Sequence, residues 1–190
     1  MMTDLLDLTN RALSELGQLP IQALGQTPYS VIVQNKIIEL APEVLLDYNW
    51  NFAVVYVANY SPETTNYSPD YVYSYQLPGD YGKFFRWATT GAQWPIYAII
   101  DGMLLANTLP VQYYYIANDI PFQYWPPLVA RALVLYAAAK SAPTITNNIK
   151  LSEYLYKEYE LARVKAILEN DMERSVQSTP YNDFQRITFV

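Results

Sequence analysis

Three carboxylates, Glu39, Glu43 and Asp47, recur every four residues, so one continuous helix would carry them on one face. Two acids at a fixed separation are what glycoside hydrolysis requires, one as acid and the other as base or nucleophile. The competing expectation is a solvated stripe whose like charges repel modestly, and it is preferred because nothing nearby points to a raised pKa. Gly79-Asp-Tyr-Gly-Lys83 has the outline of a phosphate-binding loop. It lacks the remaining glycines, the Ser or Thr after the lysine and a following helix, so it is expected to be a turn. With no Cys and no His among 190 residues, disulfides, thiolate metal sites, cysteine nucleophiles and an imidazole base are excluded. No catalytic, metal-binding or cofactor-binding residue is assigned, and the expectation is a protein that is no enzyme and uses no cofactor.

The chemistry the chain offers in quantity is aromatic. It holds 19 Tyr and 4 Trp; Trp50, Trp87, Trp94, Trp125 and 13 of the tyrosines fall between Tyr48 and Trp125. Residues 49 to 118 carry six charges: Glu63, Asp70, Asp80, Lys83, Arg86 and Asp101. An aromatic, poorly charged, β-prone middle is therefore flanked by charged, helix-prone ends. Stacked rings can read sugar faces or single-stranded nucleic acid. The nucleic-acid option is weak, because affinity for phosphates comes from Lys and Arg, and a chain of net charge −6 has only 12 of them, unclustered. Rings that form partly core and partly subunit contact are preferred, with carbohydrate binding as the second option.

Stepping outward, the elements follow from local signals. Thr3 is expected to cap a first helix with the face Leu5, Leu8, Ala12 and Leu16, Leu13 lying beside it, ended by Gly17. Thr27-Pro28 opens a second, with the stripe Val31, Ile38, Ala41, Leu45 and Tyr48, which Pro42 should kink or split. Strands are expected within 52–60, 71–75, 83–89, 97–100, 103–106 and 111–116, with Asp101-Gly102 as a two-residue hairpin turn. Together they form one small, mostly antiparallel sheet or barrel-like insertion. Leu128 to Ala142 is a buried, alanine-rich helix ended by Pro143. The last helix is expected from Thr146 or Asn147 to about Asp171, with Leu151, Leu155, Tyr159, Ala162 and Ala166 inside. The fold class is α+β: a mainly α-helical bundle of about four helices (1–50 and 119–173), a central antiparallel β insertion (51–118) and an extended C-terminal arm (174–190). Trp50 and Phe52 are expected buried at the helix-to-sheet junction. No stretch approaches about 18 uninterrupted apolar residues and MMTDLLDLTN has acids where a signal peptide has bases, so a soluble chain without a membrane partner is expected.

The order of several short segments resembles the tail tubular protein A-like head-to-tail adaptors of short-tailed bacteriophages. The resemblance covers Leu5 to about Glu173. Its most telling piece is Glu43-Val-Leu-Leu-Asp-Tyr-Asn-Trp-Asn-Phe-Ala53, similar to the family's helix that ends in Trp-Asn-Phe-Ala. Tyr73-Ser-Tyr-Gln-Leu-Pro-Gly-Asp80, Tyr97-Ala-Ile-Ile-Asp-Gly-Met-Leu-Leu-Ala106, Val111-Gln-Tyr-Tyr-Tyr and Asn10-Arg-Ala-Leu-Ser-Glu-Leu-Gly17 resemble its strands and opening helix. The chain departs from the pattern at Tyr48-Asn49, where many relatives carry His-Pro or a similar pair.

The resemblance implies a virion protein at the head-tail junction: a ring of twelve copies between portal and tail nozzle, through which genomic DNA passes without specific binding. The residues assigned to the portal are Tyr181, Phe184, Arg186, Ile187 and Phe189, since adaptors of this type send C-terminal arms along it. Phe184, Arg186, Thr188 and Val190 fall on one side of an extended strand and Gln185, Ile187 and Phe189 on the other, which suits addition to a sheet edge. A virion-associated peptidoglycan hydrolase relying on Asp and Glu alone, and a carbohydrate-binding tail protein, are the competing functions.

Overall fold

The computed structural model describes residues 4–64, 68–88 and 95–177, the last four of them by backbone alone. Four helices and two small antiparallel sheets make an α+β fold. The chain divides into two compact units, one containing residues up to Phe52 together with those from Asp119, the other Ala53–Asn118.

In the helical unit, α1 spans Leu5–Glu15 and is capped by Asp4, not Thr3: the Asp7 N–H donates to Asp4 Oδ1 at 2.8 Å. It stops where Gly17 takes φ +68°. There the Gln18 N–H reaches the Leu13 carbonyl (2.9 Å) and the Gly17 N–H that of Ser14 (3.0 Å), the paired bonds of a Schellman closure. Helix α2, Pro28–Asp47, opens with a reciprocal cap in which Thr27 and Ser30 each accept the other's N–H. Pro42 neither splits it nor ends it. The buried face of α2 is Val33, Ile37, Leu40, Ala41, Val44 and Leu45, whereas Val31 and Ile38 from the expected stripe are exposed. The early turns are apolar almost all round (Val31, Ile32, Val33, Ile37, Ile38), so periodicity alone could not choose which side turns inward.

Helix α3 spans Pro127–Thr146 and passes through Pro143, correcting the expectation that this proline ends it. Proline withholds the N–H that would reach the Ala139 carbonyl. Ser152 of the next helix donates to that carbonyl instead, at 2.8 Å, so the lost bond is replaced from outside. Asn147, left-handed at φ 51°, terminates α3, and the Asn148 side chain accepts the Leu151 N–H at 3.1 Å to open α4, Ile149–Gln177. Thus α4 begins later than expected and runs six residues past Asp171, so residues 174–177 are helix and not extended arm. Nothing between Glu173 and Gln177 breaks a helix, and the next proline is Pro180. Leu155, Tyr159, Ala162 and Ala166 are buried as expected; Leu151 is half-buried.

In the β unit, strands β1 (Val54–Asn59), β6 (Val111–Ala117) and β3 (Tyr81–Trp87) form one sheet with β6 central. Strands β2 (Tyr73–Gln76), β5 (Met103–Ala106) and β4 (Tyr97–Ile100) form another with β5 central. Two three-stranded sheets replace the single sheet or barrel expected. The strand signals are local, whereas the pairings of β1 with β6 and β2 with β5 join segments far apart in the chain. Every residue of β5 is buried, and Tyr113 and Tyr115 of β6 turn inward between half-buried Gln112 and Tyr114. The β4–β5 hairpin turns as expected at Asp101-Gly102, both at positive φ (49° and 76°).

That turn sets the first prediction. A Cβ at residue 102 meets no neighbour within 4 Å, so the cost of Gly102→Ala is conformational alone. The substitution should lower stability by about 1 kcal/mol, read as a shift in the urea midpoint with unchanged slope. A variant as stable as the parent would show that the hairpin does not need this turn.

Candidate functional site at the exit of the second helix

The last four carbonyls of α2 have no partner within the helix. The buried Trp50 indole supplies one, its Nε1 donating to the Val44 carbonyl at 2.7 Å. Two residues on, Asn51 is held by α4: its backbone N–H donates to Asn170 Oδ1 at 2.7 Å, and its side-chain amide to the Asn170 carbonyl at 2.8 Å. Asn170 also donates to the Asn49 carbonyl, at 3.4 Å. Asn170 is one of the few buried polar side chains, and these bonds satisfy it. Outside this pair lie two charged contacts. Arg163 grips Asp47 through Nε and, at 2.9 Å, through Nη2, while the Tyr48 hydroxyl sits 2.8 and 2.9 Å from the Asp171 carboxylate oxygens. The chain thus leaves α2 clamped along α4 at Asp47, Tyr48, Asn49 and Asn51.

Rings fill the space behind the clamp. Trp50 lies between Tyr48 (centroids 5.3 Å apart) and Phe52 (6.3 Å), and Phe52 reaches Trp125 at 5.9 Å. Of the expected junction pair, Trp50 is buried to 1% exposure, but Phe52 is half-buried, correcting the expectation that both rings are enclosed. The chain must turn within Asn51–Ala53, a single 3-10 turn, which carries the second ring toward the rim. Sequence reasoning missed Arg163, Asn170 and Asp171. Their signal was faint: Arg163 and Asn170 are seven apart, hence on one helix face, and Asn170 follows Ala166 where the inner stripe calls for an apolar residue.

The carboxylates first singled out are engaged in structural contacts. Glu39 meets Lys36 at 2.6 Å, Asp47 meets Arg163, and Glu43 accepts from Tyr136. Tyr136 stacks on Tyr159 at 4.5 Å and 12°, with Tyr156 beside both. Burial first, and the nearby Glu43, hold the Tyr136 phenol above its ordinary range; burial, and then Asp47, do the same for Tyr159. For Tyr156 the first cause is the charge of Glu160. In the β unit, burial lifts Tyr113 and Tyr115, and Tyr115 donates to Asp80 Oδ1 at 2.7 Å. These phenols stay protonated, so they offer no base at neutral pH.

Gly79-Asp80 is the turn expected, closed by the Tyr81 N–H on the Pro78 carbonyl at 3.0 Å. A groove of about 540 Å³ between α1 and α3 is lined by Asn10, Arg11, Ser14, Glu15 and Arg131 among others. Its polar groups are partly committed elsewhere, Asn10 to the Ile21 backbone and Arg11 to Asp7. Among the described residues no three acids converge as metal ligands. Tyr181, Phe184, Arg186, Ile187 and Phe189 lie outside the described residues.

Two measurements check this assignment. Trp50→Ala removes a filled core position and the bond to Val44, and should cost about 3 to 5 kcal/mol; a variant that melts like the parent would make Trp50 a surface contact. For the phenols, folding raises the pKa above 10.0, so the folded state keeps a proton that the unfolded chain releases. Their contribution is full below pH 10 and is lost as pH rises toward the folded values. Unfolding free energy from denaturant titrations should therefore hold between pH 7 and 9 and fall beyond pH 10, and a flat profile to pH 11 would contradict the burial argument. No family model matches the chain, and no curated protein matches it in sequence.

Proposed function

We propose that this protein is a structural head-to-tail adaptor of a bacteriophage virion, a ring between portal and tail nozzle that conducts DNA. One observation carries the assembly part of this reading. Along α4, Tyr154, Leu161, Val164, Leu168 and Met172 are each half or more exposed and recur at helical spacing. An exposed apolar stripe of this kind, with Lys157 and Lys165 among its members, marks a surface that another protein covers. The ordered motifs fit the same reading, because the residues carrying the resemblance are framework: Trp50 and Asn51 form the helix exit, and Asp101-Gly102 the hairpin. The net charge of −6 suits a conduit, since a base-poor wall does not hold a passing polyanion.

The C-terminal segment with Tyr181, Phe184, Arg186, Ile187 and Phe189 is assigned to the portal, where an extended strand adds to a sheet edge. Native mass spectrometry of the protein, alone and with portal rings, tests the reading; a defined high copy number is expected. Deleting residues 181–190 should leave the melting temperature unchanged and abolish portal binding. Parental affinity in the truncated protein would remove the tail from this role, and release of sugar fragments from purified cell wall would favour a hydrolase instead.

A further inference from the structure

Tyr75, Trp87, Tyr113 and Tyr115 turn their rings into the β unit, where they are buried. Another group of rings lies on the outer face of the β1–β6–β3 sheet, the side away from Tyr113 and Tyr115. The register sets Tyr56 of β1 and Arg86 of β3 on either side of Tyr114 of β6, in one cross-strand row. The Tyr56 and Tyr114 centroids are 5.2 Å apart, and the Arg86 guanidinium carbon lies 4.6 Å from the Tyr114 centroid and 5.6 Å from that of Phe85. Further along the same face, Gln112 donates to the Tyr60 hydroxyl at 3.4 Å. The face is closed at Ile116, which is buried, and opens toward Gln112: Arg86 and Tyr60 are exposed, and Tyr56, Tyr114 and Gln112 are half-buried.

Strands β1, β3 and β6 contain Lys83 and Arg86 and no acid. Lys83 shares the outer face, because it stands opposite Ile116, two residues from Tyr114. The four acids between residues 53 and 118 are Glu63, Asp70, Asp80 and Asp101. Asp80 accepts from Tyr115 on the inner side. The other three accompany the second sheet: the Glu63 N–H donates to the Ser74 carbonyl of β2, Asp70 lies just before β2, and Asp101 turns the β4–β5 hairpin. Among the described residues Arg86 closes no ion pair. Stacking on a ring uses the flat side of a guanidinium and leaves its N–H edge for an anion.

We propose that this face binds a saccharide carrying a carboxylate, with a sugar ring on Tyr56 and the carboxylate on the Arg86 edge. The inference concerns the β unit alone and does not depend on the ring reading. The C–H groups of a sugar face pack on the electron-rich side of an aromatic ring. An arginine fork matches a carboxylate with two parallel hydrogen bonds, and an amide and a phenol serve the remaining hydroxyls. Strands β1 and β3 stand about 10 Å apart across β6, and the guanidinium leans inward over Tyr114, so the span suits one sugar unit and its substituent. Charge selects an acidic sugar over a neutral one, since the Arg86 edge has no carboxylate in the fold. It also weighs against single-stranded nucleic acid, the other ligand of aromatic faces. That affinity requires several phosphates to be neutralised, and only two cations stand here in a chain of net charge −6.

Calorimetric titration of the full chain tests the proposal with three probes: a hyaluronan tetrasaccharide, in which glucuronate alternates with a neutral amino sugar, the neutral cellotetraose, and a four-nucleotide thymidine strand. The hyaluronan fragment should bind, and cellotetraose should bind more weakly by about tenfold or more, the factor that a hydrogen bond to a charged group supplies. R86Q, at an exposed position, should melt like the parent and bind both sugars equally weakly. Y56A should weaken both sugars together, because packing on the ring does not depend on charge; if Y56A melts early, R86Q alone decides. A parent that binds neither sugar overturns the proposal, as does a hyaluronan affinity unchanged in R86Q. Tighter binding of the thymidine strand, lost in R86Q, makes the face a nucleic-acid platform and overturns it equally.

Discussion

Helix α3 has two charges, Arg131 and Lys140, along twenty residues, and eleven of its side chains are buried. By length and a mean hydropathy of 1.2 it could cross a bilayer, yet 61% of that window is enclosed by its own chain. Such a helix is stable in water only when surrounded, and α1, α2 and α4 all pack on it. Alanines at 130, 132, 137, 138, 139 and 142 let the neighbouring helices approach closely. That approach explains how Pro143 is tolerated. Ser152 comes near enough to supply the hydrogen bond that proline removes, so packing repairs what local chemistry breaks.

With α1, α2 and α4 committed to α3 on one side, their other sides face water or a partner, and polar chemistry gathers where two helices run together at the rim. The Asp47–Arg163 and Tyr48–Asp171 contacts are partly exposed and individually contribute little. Trp50 and Asn170 are enclosed, and their bonds satisfy groups that would otherwise be buried without partners. The order of importance is therefore burial first, buried hydrogen bonds second and surface charge last. That order holds the exit of α2 against α4.

The aromatic residues divide by what surrounds their polar ends. Tyr75 donates to the Thr108 carbonyl, Tyr115 to Asp80 and Trp125 to the Ile120 carbonyl, so large rings are buried without stranding a donor. Other rings stay toward water, as at Tyr60, whose hydroxyl accepts from Gln112 Nε2 at 3.4 Å, and at Tyr124. Tyr75, Tyr113 and Tyr115 thus fill the core of a β unit too small to be held by aliphatic side chains alone.

Four helices, their caps at Thr27 and Gly17 and the Asp101-Gly102 hairpin were legible in the sequence, because each depends on residues within one turn of the chain. The acid stripe was legible as spacing, but not the partners that engage it: Arg163 and Tyr136 lie far along the chain from Asp47 and Glu43. Tertiary structure alone decided which side of α2 is buried, since its early turns are apolar nearly all round. It alone carried α3 through Pro143, extended α4 to Gln177 and separated the strands into two sheets, outcomes that rest on contacts between distant segments. Local pattern determines which elements form and where they cap. Contact between elements decides phase, pairing and which polar groups remain on the surface, because those depend on what each face meets and not on the residues beside it.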